Sequence, residues 1–335
     1  MDKIAVLIPC FNEAPTIEKV VREFQEILPE AVVYVYDNNS TDGTDEIARS
    51  VGAVVRYERM QGKGNVVRRM FREIDAQCYL MVDGDDTYSA NDAPALANRV
   101  INDGADMVIG DRLSSTYFEE NKKVLNSFGN ILMRKAINSI FRSDIKDIMT
   151  GYRAFSFDFV KTFPVTAAGF DIETEMTIHA IDKKLQIDHV TVDYQDRKAE
   201  SVSKLHPVRD GLKAIGKMLS LSKNFRPVAC FGLIALILFV IAAVFLFPIL
   251  VEYFQTGLVP RFPTLIVCGF LILTAIISLF AGVLLSNIVQ KNRRDFEIAR
   301  LMVHGRYSDL MKENVEEVLC QDSKAAEMDQ EFRRR

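Results

Sequence analysis

Three carboxylates fall within four residues at Asp83-Gly84-Asp85-Asp86, directly after the apolar run Tyr79-Leu80-Met81-Val82. Such a run predicts a buried strand, and the acids then stand at its carboxyl end, where open α/β sheets bind their ligands. Like charges crowded at one point are costly unless something positive sits among them. A divalent cation carrying a diphosphate answers that need, because hard carboxylate oxygens suit Mg²⁺ or Mn²⁺.

Polar residues close other apolar runs in the same way. Pro9-Cys10-Phe11-Asn12-Glu13 ends the first, with Pro15 set to open a helix, and its Asn-Glu pair could hold the edge of a base or ribose. Asp37 ends the second run at the rim it shares with Asp83; an acceptor for a nucleobase or ribose is favoured there over a turn residue. The residues that follow, 38–44, are mostly helix-capping chemistry. Gly62-Lys63-Gly64-Asn65 precedes a helical stripe, where a Gly-Lys-Gly turn can approach phosphate or sugar closely. It lacks the P-loop spacing and the Ser/Thr after lysine, which disfavours an NTPase. Arg112 and Arg153 lie near glycines and read either as phosphate contacts or as surface ion pairs. Glu173 and Glu175 precede a helix, where acids are also common for structural reasons. Arg197 and Lys204 come just before an amphipathic stretch and are well placed for a lipid phosphate.

The elements that must position these residues alternate between two periods. Short apolar runs at 4–8, 32–36, 53–57, 79–82 and 107–109 are separated by helical stripes such as Ile17, Val20, Val21, Phe24 and Leu28, or Val66, Val67, Met70, Phe71 and Ile74. This alternation predicts an α/β fold, a mostly parallel sheet with right-handed crossovers and helices on both faces. A further stripe over 124–141 reads equally as a core-facing helix or as one lying on a membrane surface. Residues 206–226 carry Val208, Leu212, Ile215 and Leu219 on one face and Arg209, Lys213, Lys217 and Lys223 on the remainder, an interfacial pattern.

Two long uncharged apolar segments follow, at about 228–251 and 262–289. The first spans about 36 Å as a helix, enough for a hydrocarbon core of about 30 Å. Basic residues precede the pair (Lys213, Lys217, Lys223, Arg226) and follow it (Lys291, Arg293, Arg294), while the connection holds Arg261 alone. The positive-inside rule then predicts a multi-pass hairpin in the cell membrane with both ends cytosolic. Met1 to Val6 enters a strand directly, without the features of a signal peptide, so the front of the chain is expected to stay in the cytosol. The predicted organisation is a domain over 1–205, a juxtamembrane segment over 206–226, two transmembrane helices within 227–290, and a charged cytosolic tail over 291–335. Whether copies associate as a homo-oligomer through the hairpin is left open by these patterns. The formal net charge of −4 offers no global basic field for nucleic acid. Five scattered cysteines show no metal-like or redox spacing and read as reduced packing residues.

Taken in order, these residues resemble the family-2 glycosyltransferases of the GT-A fold, and within them the polyprenyl-phosphate sugar transferases, a group that includes dolichol-phosphate mannose synthase and bacterial undecaprenyl-phosphate glycosyltransferases. The resemblance covers Ile4 to about Leu205. It implies that Pro9, Phe11, Glu13 and Asp37 hold the nucleotide, to which the Gly-Lys-Gly turn independently adds Lys63, and that Asp83 and Asp85 form the Asp-x-Asp motif for metal and diphosphate. Asp86 stands beside that motif, and Thr87 occupies the place where some relatives carry a glutamine ligand. Arg112 matches an arginine near the donor; Arg197 and Lys204 match cations associated with diphosphate or acceptor phosphate; Glu173 and Glu175 belong to the same implied set. The implied reaction is inverting, metal-dependent transfer of a sugar from a nucleotide diphosphate sugar to a polyprenyl phosphate. A processive polysaccharide synthase is disfavoured, since those enzymes resemble one another in a Gln-x-x-Arg-Trp motif and this chain has no tryptophan. An inactive, membrane-tethered nucleotide-sugar binding protein sits poorly with the intact aspartate pair. A dinucleotide oxidoreductase fails because no Gly-x-Gly-x-x-Gly follows the first strand.

Overall fold

The structure is a computed structural model of the chain, and it describes residues 1–114, 128–167, 169, 172–195 and 223–334. Inside its sheet runs β1 (Asp2–Cys10), whose residues Ile4 to Ile8 are all buried. A strand so apolar on both sides must be covered on both faces, as parallel strands of α/β sheets are. β2 (Ala31–Asp37) and β4 (Ala76–Met81) flank it in parallel, and β3 (Val54–Tyr57) continues the parallel set beyond β2. β5 (Met107–Asp111), β6 (Arg153–Ser156) and β7 (Ile187–Thr191) complete a seven-stranded sheet in the order β3-β2-β1-β4-β6-β5-β7.

Alternate side chains of β1 feed two cores. Ile4, Val6 and Ile8 pack with the buried stripes of α1 (Ile17–Ile27) and α4 (Ala93–Ile101), and with Ala48 of α2 (Thr44–Ser50). On the other face, Phe71 of α3 (Lys63–Glu73) meets Tyr79 and Phe155. Phe155 stacks on Phe159 of α6 (Phe157–Thr162), which in turn meets His179 of α7 (Ile172–Asp182). The predicted layers and the five predicted strands are therefore present.

β6 and β7 carry no comparable sequence signal. β6 is four residues long, runs antiparallel between β4 and β5, and opens on a charged residue. Arg153 is nonetheless fully buried, at 0% exposure. Its guanidinium donates to the Ile148 carbonyl (2.6 Å), the Thr150 carbonyl (3.0 Å) and Thr177 Oγ1 (2.8 Å), which makes burial tolerable. Burial pulls this guanidinium down to about 10. The reading of Arg153 as a phosphate contact or surface pair is thus corrected: it pins the 148–150 turn from inside.

The described chain divides into two compact units, one of Met1–Ser127, Ser143–Lys204 and Phe296–Arg335, the other of Phe128–Arg142 and Leu205–Asp295. The second contains α5 (Phe128–Phe141), α8 (Pro227–Thr256) and the first part of α9 (Phe262–Arg334). The described part of the 124–141 stripe, α5, accordingly clusters with the apolar helices. α8 and α9 each contain a stretch long and apolar enough to cross a membrane, with large side chains such as Phe239, Phe247, Phe270 and Phe280 exposed. They meet where Ser278 Oγ donates to the Phe231 carbonyl (3.0 Å) and where Gly282 leaves room for Phe231. Most of the interfacial segment expected over 206–226, namely 206–222, lies outside the described residues.

The remainder of α9 belongs to the unit of the sheet. One helical face carries Phe296, Arg300, His304 and Tyr307. Phe296 packs on His179, Arg300 reaches Asp106 (2.8 Å), His304 reaches Asp158 (3.0 Å) and Tyr307 lies against Phe157. The first part of the charged tail is docked here, through pairings with residues far away in the chain. Asp106 is buried, so removing its cationic partner leaves a carboxylate short of one donor. Arg300→Ala is expected to cost about 1–3 kcal/mol and to lower the thermal unfolding midpoint of the detergent-solubilised protein; an unchanged midpoint would contradict this docking.

Candidate active site

The carboxyl ends of β1, β2 and β4 form one rim, and their turns are built from residues in the left-handed region: Asn12 (φ 56°), Asn39 (φ 66°) and Asp86 (φ 62°). Asn and Asp tolerate that conformation best among residues with a side chain, particularly when the side chain bonds locally. Asn12 Oδ1 accepts from the Thr41 N–H (2.9 Å), and Asn39 Nδ2 donates to the Arg59 carbonyl (3.1 Å). Asn38 draws the β3–α3 connection onto the rim: its Nδ2 donates to the carbonyls of Glu58 and Met60 (both 2.9 Å), and its Oδ1 accepts from the Gly62 N–H (2.7 Å). Gly62 sits at φ 127°, a conformation L side chains rarely adopt, and this sets Lys63 at the start of α3.

Every carboxylate of the acidic cluster is partnered, two of them by one lysine. Lys63 Nζ lies 2.5 Å from Asp83 Oδ1 and 2.6 Å from Glu173 Oε1 in the first turn of α7. Burial pulls the Lys63 ammonium down, but the Asp83 and Glu173 carboxylates outweigh it and hold its pKa above the ordinary lysine value. Asp85 Oδ1 accepts from Thr87 N–H (3.2 Å) and Thr87 Oγ1 (2.6 Å). Asp86 is turned onto Lys19 of α1, with both carboxylate oxygens within 2.8 Å of its Nζ. Thr87 therefore braces Asp85. Part of the positive charge that the crowded acids demand comes from lysines of the chain itself, Lys63 and Lys19.

A cleft of about 560 Å³ opens at this rim. Pro9, Phe11, Glu13 and Asn38 line it together with Lys63, Asp83, Gly84 and Glu173. Phe11 presents an exposed ring (49%). Asp37 is buried at the same rim (3% exposed): its Oδ2 accepts from the Ser40 N–H (3.1 Å), whereas its Oδ1 has no partner in the structure. A buried carboxylate oxygen without a donor is uncommon and marks a place for one.

Backbone contacts fix the aspartates. Thr16 Oγ1 donates to the Gly84 carbonyl (2.7 Å), and the Tyr88 hydroxyl accepts from the Gly151 N–H (3.0 Å). Gly151 is pressed so closely against Asp83 that a Cβ built on it would lie 2.2 Å from Asp83 Oδ2. Arg112 is held by Asp147 (2.7 Å) and lies over the Tyr194 ring, 5.2 Å from its centre. Tyr194 bridges to Tyr88, and the Gln195 N–H donates to the Thr87 carbonyl (2.9 Å), so the described chain reaches the acidic turn just before the segment bearing Arg197 and Lys204. Arg197 and Lys204 lie outside the described residues. Glu175 accepts from the N–H groups of Thr166 (3.2 Å) and Ala167 (2.9 Å), bracing that loop.

The structure thus brings together Pro9, Phe11, Glu13, Lys63 and Asp83 in one cleft, with Asp37 and Asp85 at the same rim; it pairs Asp86 and Arg112 with Lys19 and Asp147. Sequence reasoning missed Thr16, Asp147 and the Lys63–Glu173 contact. Asp147 and Glu173 are 35 and 110 positions from their partners Arg112 and Lys63 in the chain, separations no local pattern reveals.

Among the described residues no three His, Cys, Asp or Glu side chains converge as a metal-ligand set. Asp83 and Asp85 still fit a hard divalent cation, because Mg²⁺ is commonly held by one or two carboxylates plus substrate phosphates. The donor set suits a cation arriving with a diphosphate.

The family model described as Glycosyl transferase family 2 matches residues 5–163. Glycosyltransferase AglJ of Haloferax volcanii is 35% identical over 232 residues, 69% of this chain and 76% of that protein. The dolichyl-phosphate hexose transferase of the same organism is 31% identical over 218 residues, 65% of this chain and 92% of that protein. Among solved structures, glucosyl-3-phosphoglycerate synthase from Mycobacterium tuberculosis, in complex with Mn²⁺, uridine-diphosphate-glucose and phosphoglyceric acid, shares the fold: the TM-score is 0.52 at 20% identity, covering 65% of this chain and 79% of that one.

Because Gly151 leaves no space beside Asp83, Gly151→Ala is expected to push that carboxylate off its position. Sugar transfer should fall at least about tenfold while the fold is retained, the scale of loss that a small misplacement causes; unchanged transfer would show that the close approach is unimportant.

Proposed function

Since this chain belongs to glycosyl transferase family 2 and is a glycosyltransferase, we propose that it moves a sugar from a nucleotide diphosphate sugar onto a polyprenyl phosphate, undecaprenyl phosphate in particular. The observation that carries this reading is the cleft at the strand rim, lined by Phe11, Asn38, Lys63 and Asp83 together, in a chain with two helices fit to cross a membrane. Relatives named for dolichyl-phosphate hexose and dolichol-phosphate mannose transfer support a lipid acceptor.

In this reading Phe11 offers its ring to the base, and the unpartnered Asp37 Oδ1 accepts a hydrogen bond from the nucleoside. Pro9 and Glu13 shape the same wall. Asp83 and Asp85 would hold Mg²⁺ or Mn²⁺, which when bound supplies charge neutralisation for the departing nucleoside diphosphate. Lys63 contributes a further positive charge from within the cleft. A phosphate monoester has a second pKa of about 6, so the acceptor is already anionic at neutral pH and needs no strong general base. The chain's task is alignment of acceptor oxygen and anomeric carbon, and stabilisation of the leaving group. A single displacement inverts the anomeric centre. Asp86 orients the acidic turn through Lys19, and Arg112 holds Tyr194 at the root of the segment whose Arg197 and Lys204 receive the lipid phosphate. The organisation proposed is a catalytic domain over 1–205, a juxtamembrane segment over 206–226, a hairpin within 227–290 and a cytosolic tail over 291–335, with both ends of the hairpin in the cytosol.

Incubating the purified protein with a panel of nucleotide sugars and undecaprenyl phosphate, and weighing the product by mass spectrometry, tests this directly. One monosaccharide–phosphate–lipid is expected, dependent on Mg²⁺ or Mn²⁺; polymer, or free sugar alone, would contradict it. Asp85→Ala is expected to leave almost no turnover, and wild-type rates in that variant would refute the metal role. Arg197→Ala is expected to raise the KM for the lipid about tenfold with a smaller effect on donor binding, as loss of a charge-assisted phosphate contact would; unaltered lipid dependence would remove Arg197 from the acceptor site.

A further inference from the structure

One buried ammonium serves two carboxylates in the cleft: Lys63 Nζ is 2.5 Å from Asp83 and 2.6 Å from Glu173. The Lys63 and Glu173 side chains are 9% and 6% exposed, so neither charge can be left alone without a large penalty. Asp83 is more open, at 29%. Both seats are rigidly based. The Lys63 backbone follows Gly62, which is held by Asn38, and Glu173 sits in the first turn of α7, where its carbonyl accepts from Thr177 Oγ1 (2.9 Å). Between them runs the flexible four-carbon stem of a lysine.

We propose that Glu173 is a positioning residue that gives Lys63 a second seat: the ammonium neutralises Asp83 while the site is empty of divalent cation, and stays on Glu173 when Asp83 turns to the cation. The inference rests on the reading of Asp83 as a cation ligand. An ammonium and a divalent cation at one carboxylate repel each other, and a lysine with Asp83 as its sole partner would be stranded as an unpaired buried charge on cation binding. Glu173 removes that penalty and keeps Lys63 in the cleft, where a diphosphate would meet it. Without Glu173, Lys63 competes for Asp83.

Binding of Mn²⁺ alone to the full-length protein in detergent, followed by the EPR signal of free Mn²⁺, separates this from a merely structural role. Glu173→Gln is expected to weaken Mn²⁺ binding about tenfold, the scale of close charge-pair couplings. Lys63→Met is expected to tighten it. The double variant, which removes both buried charges together and so protects the fold, is expected to bind at least as tightly as wild type, because Glu173 acts through Lys63. Weakening in all three variants, or no change in any, would overturn the proposal while leaving the cation site standing. Absence of Mn²⁺ binding by the wild-type protein would overturn the cation reading of Asp83 and Asp85, and this inference with it.

Discussion

Negative charge crowded at one edge of the sheet is the constraint around which this molecule is arranged. Two like charges 4 Å apart repel by about 4 kcal/mol at the dielectric near a protein surface. Asp83, Asp85 and Asp86 share one turn, and Glu173 approaches them from α7. The fold meets the cost by giving every one of them a partner: Lys63 shared between Asp83 and Glu173, Thr87 on Asp85, Lys19 on Asp86. Much of the surrounding geometry exists to hold those partners. Asn38 and Gly62 fix the start of α3, Thr16 grips Gly84, and Tyr88 holds the Gly151 backbone against Asp83. An edge so prepared is suited to exchange one set of positive charges for another, which is what a donor carrying a cation on its diphosphate requires.

Much of this frame was legible in the sequence because it depends on local pattern. β1 and β4 are continuous apolar runs, and the stripes of α1 and α3 repeat at helical spacing, so the central layers and the residues at the strand ends could be read directly. Asp37, Lys63 and Asp83 were identifiable for the same reason: each lies at the end or the beginning of an element. What escaped was pairing over distance. β6 is short and begins with a charged residue, and it takes its place only because β4 and β5 are already there to receive it. Arg153 looks like a surface residue until the carbonyls of 148 and 150 close on it. The docking of Phe296, Arg300 and Tyr307 likewise depends on Asp106 and Phe157, which the sequence places far from them.

The two units divide the demands of the proposed chemistry. The sheet unit supplies a fixed, charged cleft, and the other unit supplies two helices with stretches long and apolar enough to cross a membrane. α9 contributes to both, apolar in its first part and carrying Phe296 and Arg300 onto the sheet unit in its later part. A glycosyltransferase whose acceptor is an anionic lipid needs little acid–base chemistry of its own. It needs a prepared electrostatic seat for the leaving diphosphate and a means of staying beside its lipid, and the sequence devotes its conspicuous features to those two ends.

The central claim, that the acidic edge grips a diphosphate through a divalent cation, is tested most directly by calorimetric titration of the purified full-length protein with uridine and guanosine diphosphate sugars, once with Mn²⁺ and once with EDTA. Saturable binding of one nucleotide class in Mn²⁺ that disappears in EDTA is the predicted result. Equal affinity under both conditions, or no binding under either, would contradict the account.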